Sequence, residues 1–98
     1  MVYITCKDKK EAKKISTALI EKRLVACTNI FPIESIYRWK GKIVNNKEIV
    51  VLDKSTKKNC AEIEREVKRL HSYDVPCIEN ISTKANTDYE EWVVGETT

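Results

Sequence analysis

The chain carries one histidine, His71, and four cysteines, Cys6, Cys27, Cys60 and Cys77. These residue types do most of the acid–base, nucleophilic and metal chemistry near neutral pH. No two of the cysteines stand in a CxxC pattern, which excludes a zinc ribbon and a thioredoxin-type redox pair. The first candidate loop reads Cys6-Lys7-Asp8-Lys9, so a CxxC metallochaperone is excluded as well. No Ser-His-Asp, Cys-His or paired-carboxylate pattern appears, and neither GxGxxG nor GxxxxGK[ST] is present. His71 falls at the end of a helical stripe. There it serves either as a cap that suits the helix dipole or as a functional side chain. For each cysteine the plain structural role is that of a small buried hydrophobe.

The elements that must position these residues can be read from periodicity. Val2-Tyr3-Ile4-Thr5-Cys6 is β-branched and aromatic and predicts a strand. Asp8 can cap a helix from Lys9 to Arg23, with Ala12, Ile15, Ala18, Leu19 and Ile20 at helical spacing. Val25 to Trp39 predicts a long strand, with Pro32 demanding an edge position or a bulge. Lys40-Gly41 predicts a two-residue turn into a second long strand, Lys42 to Lys54, kinked or bulged at Asn45-Asn46. Cys60, Ile63, Val67 and Leu70 form a second helical stripe, with Asn59 and Glu62 as a capping pair and an end near His71. Cys77 to Ser82 predicts a short strand. Thr87 and Glu90 predict a capping box for a last helix that carries Tyr89, Trp92 and Val93 and stops at Gly95, leaving a frayed tail.

That order predicts an α+β fold: a ferredoxin-like split βαββαβ antiparallel sheet with a long β2–β3 hairpin and a short C-terminal helix. All 98 residues form a single domain. Right-handed crossovers put both main helices on one face of the sheet and leave the other bare. A hairpin this long, carrying Phe31, Ile33, Tyr37 and Trp39, invites burial against another copy. The same topology places the end of the first strand beside the start of the last. Cys6 and Cys77 are therefore expected close together, as a bridge or as a two-sulfur patch near His71.

Composition narrows the functional classes. Net charge is +3, from 18 basic and 15 acidic residues that alternate, as in Glu62-Ile63-Glu64-Arg65-Glu66. This describes a salt-bridged surface rather than a nucleic-acid footprint. The third strand has no aromatic residue to stack a base, so RNA recognition is not expected. No apolar run approaches the ~18–20 residues of a membrane span. Met1-Val2-Tyr3-Ile4-Thr5-Cys6 has no signal-peptide pattern, and a cytoplasmic location with reduced thiols is expected.

Ala26-Cys27-Thr28-Asn29-Ile30-Phe31-Pro32, then Ser35-Ile36-Tyr37-Arg38-Trp39-Lys40-Gly41-Lys42-Ile43, resembles the core motif of the CutA divalent-cation tolerance family. Glu48 with Leu52-Asp53-Lys54, His71-Ser72-Tyr73-Asp74-Val75-Pro76 and Asp88-Tyr89-Glu90-Glu91-Trp92 continue the resemblance in order along nearly the whole chain. Ser72 stands where the family usually has proline, and Arg38-Trp39 where it often has two aromatics. The resemblance implies a ferredoxin-like homotrimer, PII-like in architecture, with no enzymatic activity and no obligatory cofactor. It implies binding of copper or another divalent cation, with His71 and Cys6 as ligands and Asp74 and Glu79 as nearby oxygen donors. Cys and His together suit copper and zinc. Tyr37, Lys54 and Tyr73 are candidates for an inter-subunit pocket, taking a small anion. Phe31, Tyr37 and Trp39 are candidates for the trimer interface. Two functions follow as expectations: a trimeric metal-binding tolerance protein, or a PII-like signalling or scaffold trimer that binds a small molecule or a protein partner.

Overall fold

A computed structural model describes residues 1–98. The elements run β1 (Val2–Cys6), α1 (Lys9–Glu21), β2 (Cys27–Trp39), β3 (Lys42–Lys54), a 3₁₀ turn at Lys57–Asn59, α2 (Cys60–Leu70), β4 (Ile78–Asn80) and α3 (Thr87–Glu96). The four strands form one antiparallel sheet in the order β2-β3-β1-β4. This is the predicted split βαββαβ arrangement.

The period-two alternation of β1 sorts its residues. Val2, Ile4 and Cys6 point to the helix side and are fully buried among Ala12, Ile15 and Leu19 of α1 and Ile63 and Val67 of α2. Asp8 caps α1, its Oδ1 accepting from Glu11 N at 2.8 Å. Burying each such aliphatic side chain contributes about 1.5–3 kcal/mol. The opposite sheet face, with Tyr3, Thr5, Phe31, Tyr37, Trp39, Glu48 and Val50, has no helix of this chain over it.

β2 and β3 pair one-to-one from Cys27↔Lys54 to Trp39↔Lys42. The expected kink at Asn45-Asn46 is absent. Asn45 faces Ile36 and Asn46 faces Ser35 in unbroken register. Pro32 needs no bulge either, because β2 is the sheet edge and its missing donor faces no further strand. Lys40 and Gly41 both take positive φ, 50° and 77°, as a two-residue hairpin turn requires. The hairpin gives the molecule its long axis of 45 Å against 25 and 21 Å.

Other local expectations need correction. Asn59 does not cap α2: its backbone is helical and its Nδ2 donates to Leu24 O at 3.3 Å, while Glu62 pairs with Arg65. The N-cap position of the last helix is Asn86 rather than Thr87, with no side-chain capping bond of its own, and Glu90 Oε1 accepts from Ala85 N at 2.8 Å. Gly95 does not stop α3, which runs on to Glu96. The tail is tied down, Thr98 N donating to Arg23 O at 2.9 Å. No helix is long and apolar enough to cross a membrane.

Candidate metal centre

His71 follows the last turn of α2, its N–H donating to Val67 O at 2.8 Å. Its ring does not cap that helix. The side chain is fully buried and turns towards β1, with Nε2 2.7 Å from Thr5 O. Tyr73 N donates to His71 Nδ1 at 3.1 Å. Nδ1 is thereby an acceptor, so Nε2 carries the proton it gives to Thr5 O, and the ring is the neutral Nε2–H tautomer.

Beside the ring lies Glu11, in the first turn of α1. Its Oε1 is 3.9 Å from His71 Nδ1 and accepts from Lys7 N at 3.1 Å, while Oε2 accepts from Ser72 N at 2.9 Å. Burial pushes this carboxyl up, but the donors from Ser72 and Lys7 outweigh it and hold the acid below its usual range. Glu11 therefore stays ionised inside the fold. Cys6 completes the group. Burial, then the charges of Glu11 and Asp53, push its thiol up to about 12. The ligand atoms of Cys6, Glu11 and His71 all lie within 4.8 Å of one another.

One sulfur, one oxygen and one nitrogen form a donor set that suits a borderline or soft divalent cation, zinc or copper, better than calcium or magnesium. Bonds of about 2.0–2.3 Å would draw the donors about 1 Å closer together. The residues fit such an ion. Its binding would displace the Cys6 proton and one hydrogen bond of the imidazole.

The structure thus brings together two of the expected ligands, Cys6 and His71, and supplies a third that sequence reasoning missed. Glu11 shares the helical stripe of Ile15 and Leu19, and a carboxylate on an apolar stripe was the available signal. Asp74 is not part of this cluster. It lines a cavity of about 530 Å³ on the open sheet face with Tyr37, Trp39, Glu48, Tyr73 and Cys77. Lys54 sits away from Tyr37 and Tyr73 within the chain, donating to Asn29 Oδ1 at 2.7 Å and lining a separate depression with Met1 and Tyr89.

Cys6 and Cys77 form no bridge, and all four cysteines are free. The β1–β4 pairing ends at Ile4↔Ile78; Cys6 lies in the core on the helix side, whereas Cys77 lines the open-face cavity with Thr5, so the two thiols are on opposite faces of the sheet. Cys6 faces the helices. Cys77 faces the open side, donating to Glu79 Oε1 at 3.2 Å, and burial followed by that acid pushes its thiol up to about 11. Cys77 and Glu79 are not members of the Cys6 cluster.

Comparison with known proteins agrees with this architecture. Residues 1–96 match the family described as CutA1 divalent ion tolerance protein. The divalent-cation tolerance protein CutA of Archaeoglobus fulgidus is 46% identical over 77 residues, covering 79% of this chain and 76% of that one. A solved structure from the same organism is described as periplasmic, at TM-score 0.95 and 38% identity, over 97% of this chain and 94% of that one. The crystal structure of a point mutant of CutA1 from Pyrococcus horikoshii superposes at TM-score 0.96 and 37% identity, over 99% of this chain and 96% of that one. The PII-like protein CutA from Nostoc sp. PCC 7120 superposes at TM-score 0.92 and 26% identity, over 99% of this chain and 95% of that one. A matching family over nearly the full chain, a relative at 46% identity and these superpositions place the protein in the CutA1 divalent ion tolerance family.

Proposed function

We propose that this chain is a cytoplasmic homotrimer that binds copper or zinc through Cys6, Glu11 and His71 and acts in metal-ion tolerance, without catalysing a reaction. The observation that carries the reading is the convergence of three ligand atoms of suitable chemistry within 4.8 Å, in a family named for divalent-ion tolerance. Four free cysteines suit a reducing compartment. The trimer is supported by the bare sheet face with its half-exposed Phe31, Tyr37 and Trp39, and by Ile36 and Ile43 at 70% and 71% exposure. Calorimetric titration of the reduced protein with Cu and Zn tests the site. Saturable binding that weakens at least about tenfold in His71→Ala and in Cys6→Ser supports it. Unchanged affinity in both variants overturns it. Light scattering that finds a monomer at micromolar concentration overturns the trimer.

A second reading has its own support. The cavity on the open face is roomy, aromatic and separate from the Cys6 cluster, and one structural relative is described as PII-like. In this reading the protein binds a small molecule there and signals its presence. Tyr37 and Tyr73 are the aromatic walls. Lys54 would join them only from a neighbouring copy.

A further inference from the structure

Glu48 is a carboxylate with 7% of its surface exposed, on the open face of β3. Its one side-chain hydrogen bond is from the Tyr73 hydroxyl to Oε2, at 2.8 Å. No lysine, arginine or histidine forms an ion pair with it. Burying a carboxylate without a counter-charge is costly, and folds retain such groups where something supplies the missing charge. Lys7, Lys9 and Lys47 share only a different depression with Glu48, and none reaches it.

The surroundings of Glu48 say what kind of charge is missing. The cavity of about 530 Å³ is walled by Tyr37, Trp39 and Tyr73, and its second acid is Asp74. None of its lining residues is basic. The negative field reaches its neighbours. After burial itself and the hydrogen bond from Tyr73, the charge of Glu48 helps raise the Tyr73 phenol, and it contributes at Cys77. Aromatic faces attract cations through the ring quadrupole, by about 0.5–2 kcal/mol each according to desolvation. Within one chain this lining favours a cation over the small anion expected from Tyr37, Lys54 and Tyr73.

We propose that the cavity binds an organic cation, an ammonium or guanidinium group seated among Tyr37, Trp39 and Tyr73 with Glu48 as its counter-charge. The proposal rests on the ligand-binding reading and names its ligand class. The cationic group comes either from a free small molecule or from a Lys or Arg of a second copy of this chain.

The test uses the full chain with Trp92→Phe, so that Trp39 alone reports. The probes are n-butylammonium and tetramethylammonium, with n-butanol and butyrate as neutral and anionic controls. Saturable change in Trp39 emission with both cations and neither control, weakened about tenfold or more by Glu48→Gln, establishes the free-ligand form. Glu48→Gln keeps an acceptor for the Tyr73 hydroxyl, and circular dichroism checks that it folds. If the cations do not bind and Glu48→Gln instead dissociates the assembled protein, the charge comes from a second copy. Binding of butyrate or n-butanol in preference to the cations overturns the ligand class and leaves the ligand-binding reading standing. No binding by any probe, with assembly indifferent to Glu48→Gln, overturns both.

Discussion

The two halves of the long hairpin use the same strands and live in different surroundings. Near the base, Val51 and Asp53 are buried on the helix side beside β1, Val50 is buried on the other face, and Ile30 and Ile49 pack on the core. Towards the tip, past the end of β1 at Cys6, no third strand and no helix accompany the pair, and Ile36 and Ile43 are exposed while Tyr37 and Trp39 are half exposed. Strand pairing, with the Tyr73–Glu48 hydrogen bond at its root, therefore holds the arm, whereas packing holds the base. The base is a folding core. The arm exposes apolar side chains, and the candidate metal centre sits where the two meet, at the end of β1.

Truncating one side chain in each half should have very different consequences. Ile4→Ala in the core is expected to cost about 2–5 kcal/mol in chemical denaturation. Ile36→Ala on the arm should change subunit stability by less than about 0.5 kcal/mol. Equal costs would mean that the arm is already packed within the single chain.

The base also contains a group that opposes folding. Asp53 is fully buried on the helix side, opposite Val2 and Thr28, and no donor makes a hydrogen bond with either carboxylate oxygen. Burial raises its carboxyl from 3.8 to about 6, with the nearby Thr28 hydroxyl and the Met1 ammonium opposing only in part. The folded chain then holds a proton that the unfolded chain has released. Stability should fall as pH rises from about 4 to 6 and then level off. Asp53→Asn removes this slope and stabilises the protein by up to about 3 kcal/mol at pH 7.5, read by urea denaturation at several pH values. A variant with unchanged slope would assign the pH dependence elsewhere.

On the arm the corresponding effect lies in assembly. If the chain assembles as the proposed trimer, Trp39→Ala is expected to weaken that assembly by about 2 kcal/mol per interface, seen as dissociation on dilution in analytical ultracentrifugation. The secondary structure of the subunit should persist. A smaller effect than that of Trp39 belongs to the turn. Gly41 has φ of 77° with open space around it, so Gly41→Ala meets only backbone strain, about 1 kcal/mol. Hydrogen exchange at the arm should rise in that variant and stay unchanged in the core.

Much of this division was legible in the sequence. The stripe Cys60, Ile63, Val67 and Leu70 has one reading as a helix, and Lys40-Gly41 between two β-rich runs has one natural reading as a turn. The bare sheet face followed from chain order alone. The site was legible only in part. The stripe position of Glu11 marks it as facing the core, but its role stays hidden in the sequence, because the backbone donors that hold it there come from Lys7 and from the distant Ser72. Asp74, equally acidic and near His71 in sequence, turns to the other face of the sheet. Cys6 and Cys77 were expected as a bridge or a shared sulfur patch, but they lie on opposite faces of the sheet and both are free. A single-residue offset in register moves a side chain to the opposite face, and nothing in either strand's composition fixes it.

The site at the junction is tested most directly by X-ray absorption on protein loaded with one equivalent of zinc. The expected spectrum has one sulfur at about 2.3 Å and nitrogen or oxygen donors at about 2.0–2.2 Å, with the sulfur lost in Cys6→Ser. A shell of nitrogen and oxygen alone in the unsubstituted protein would contradict it.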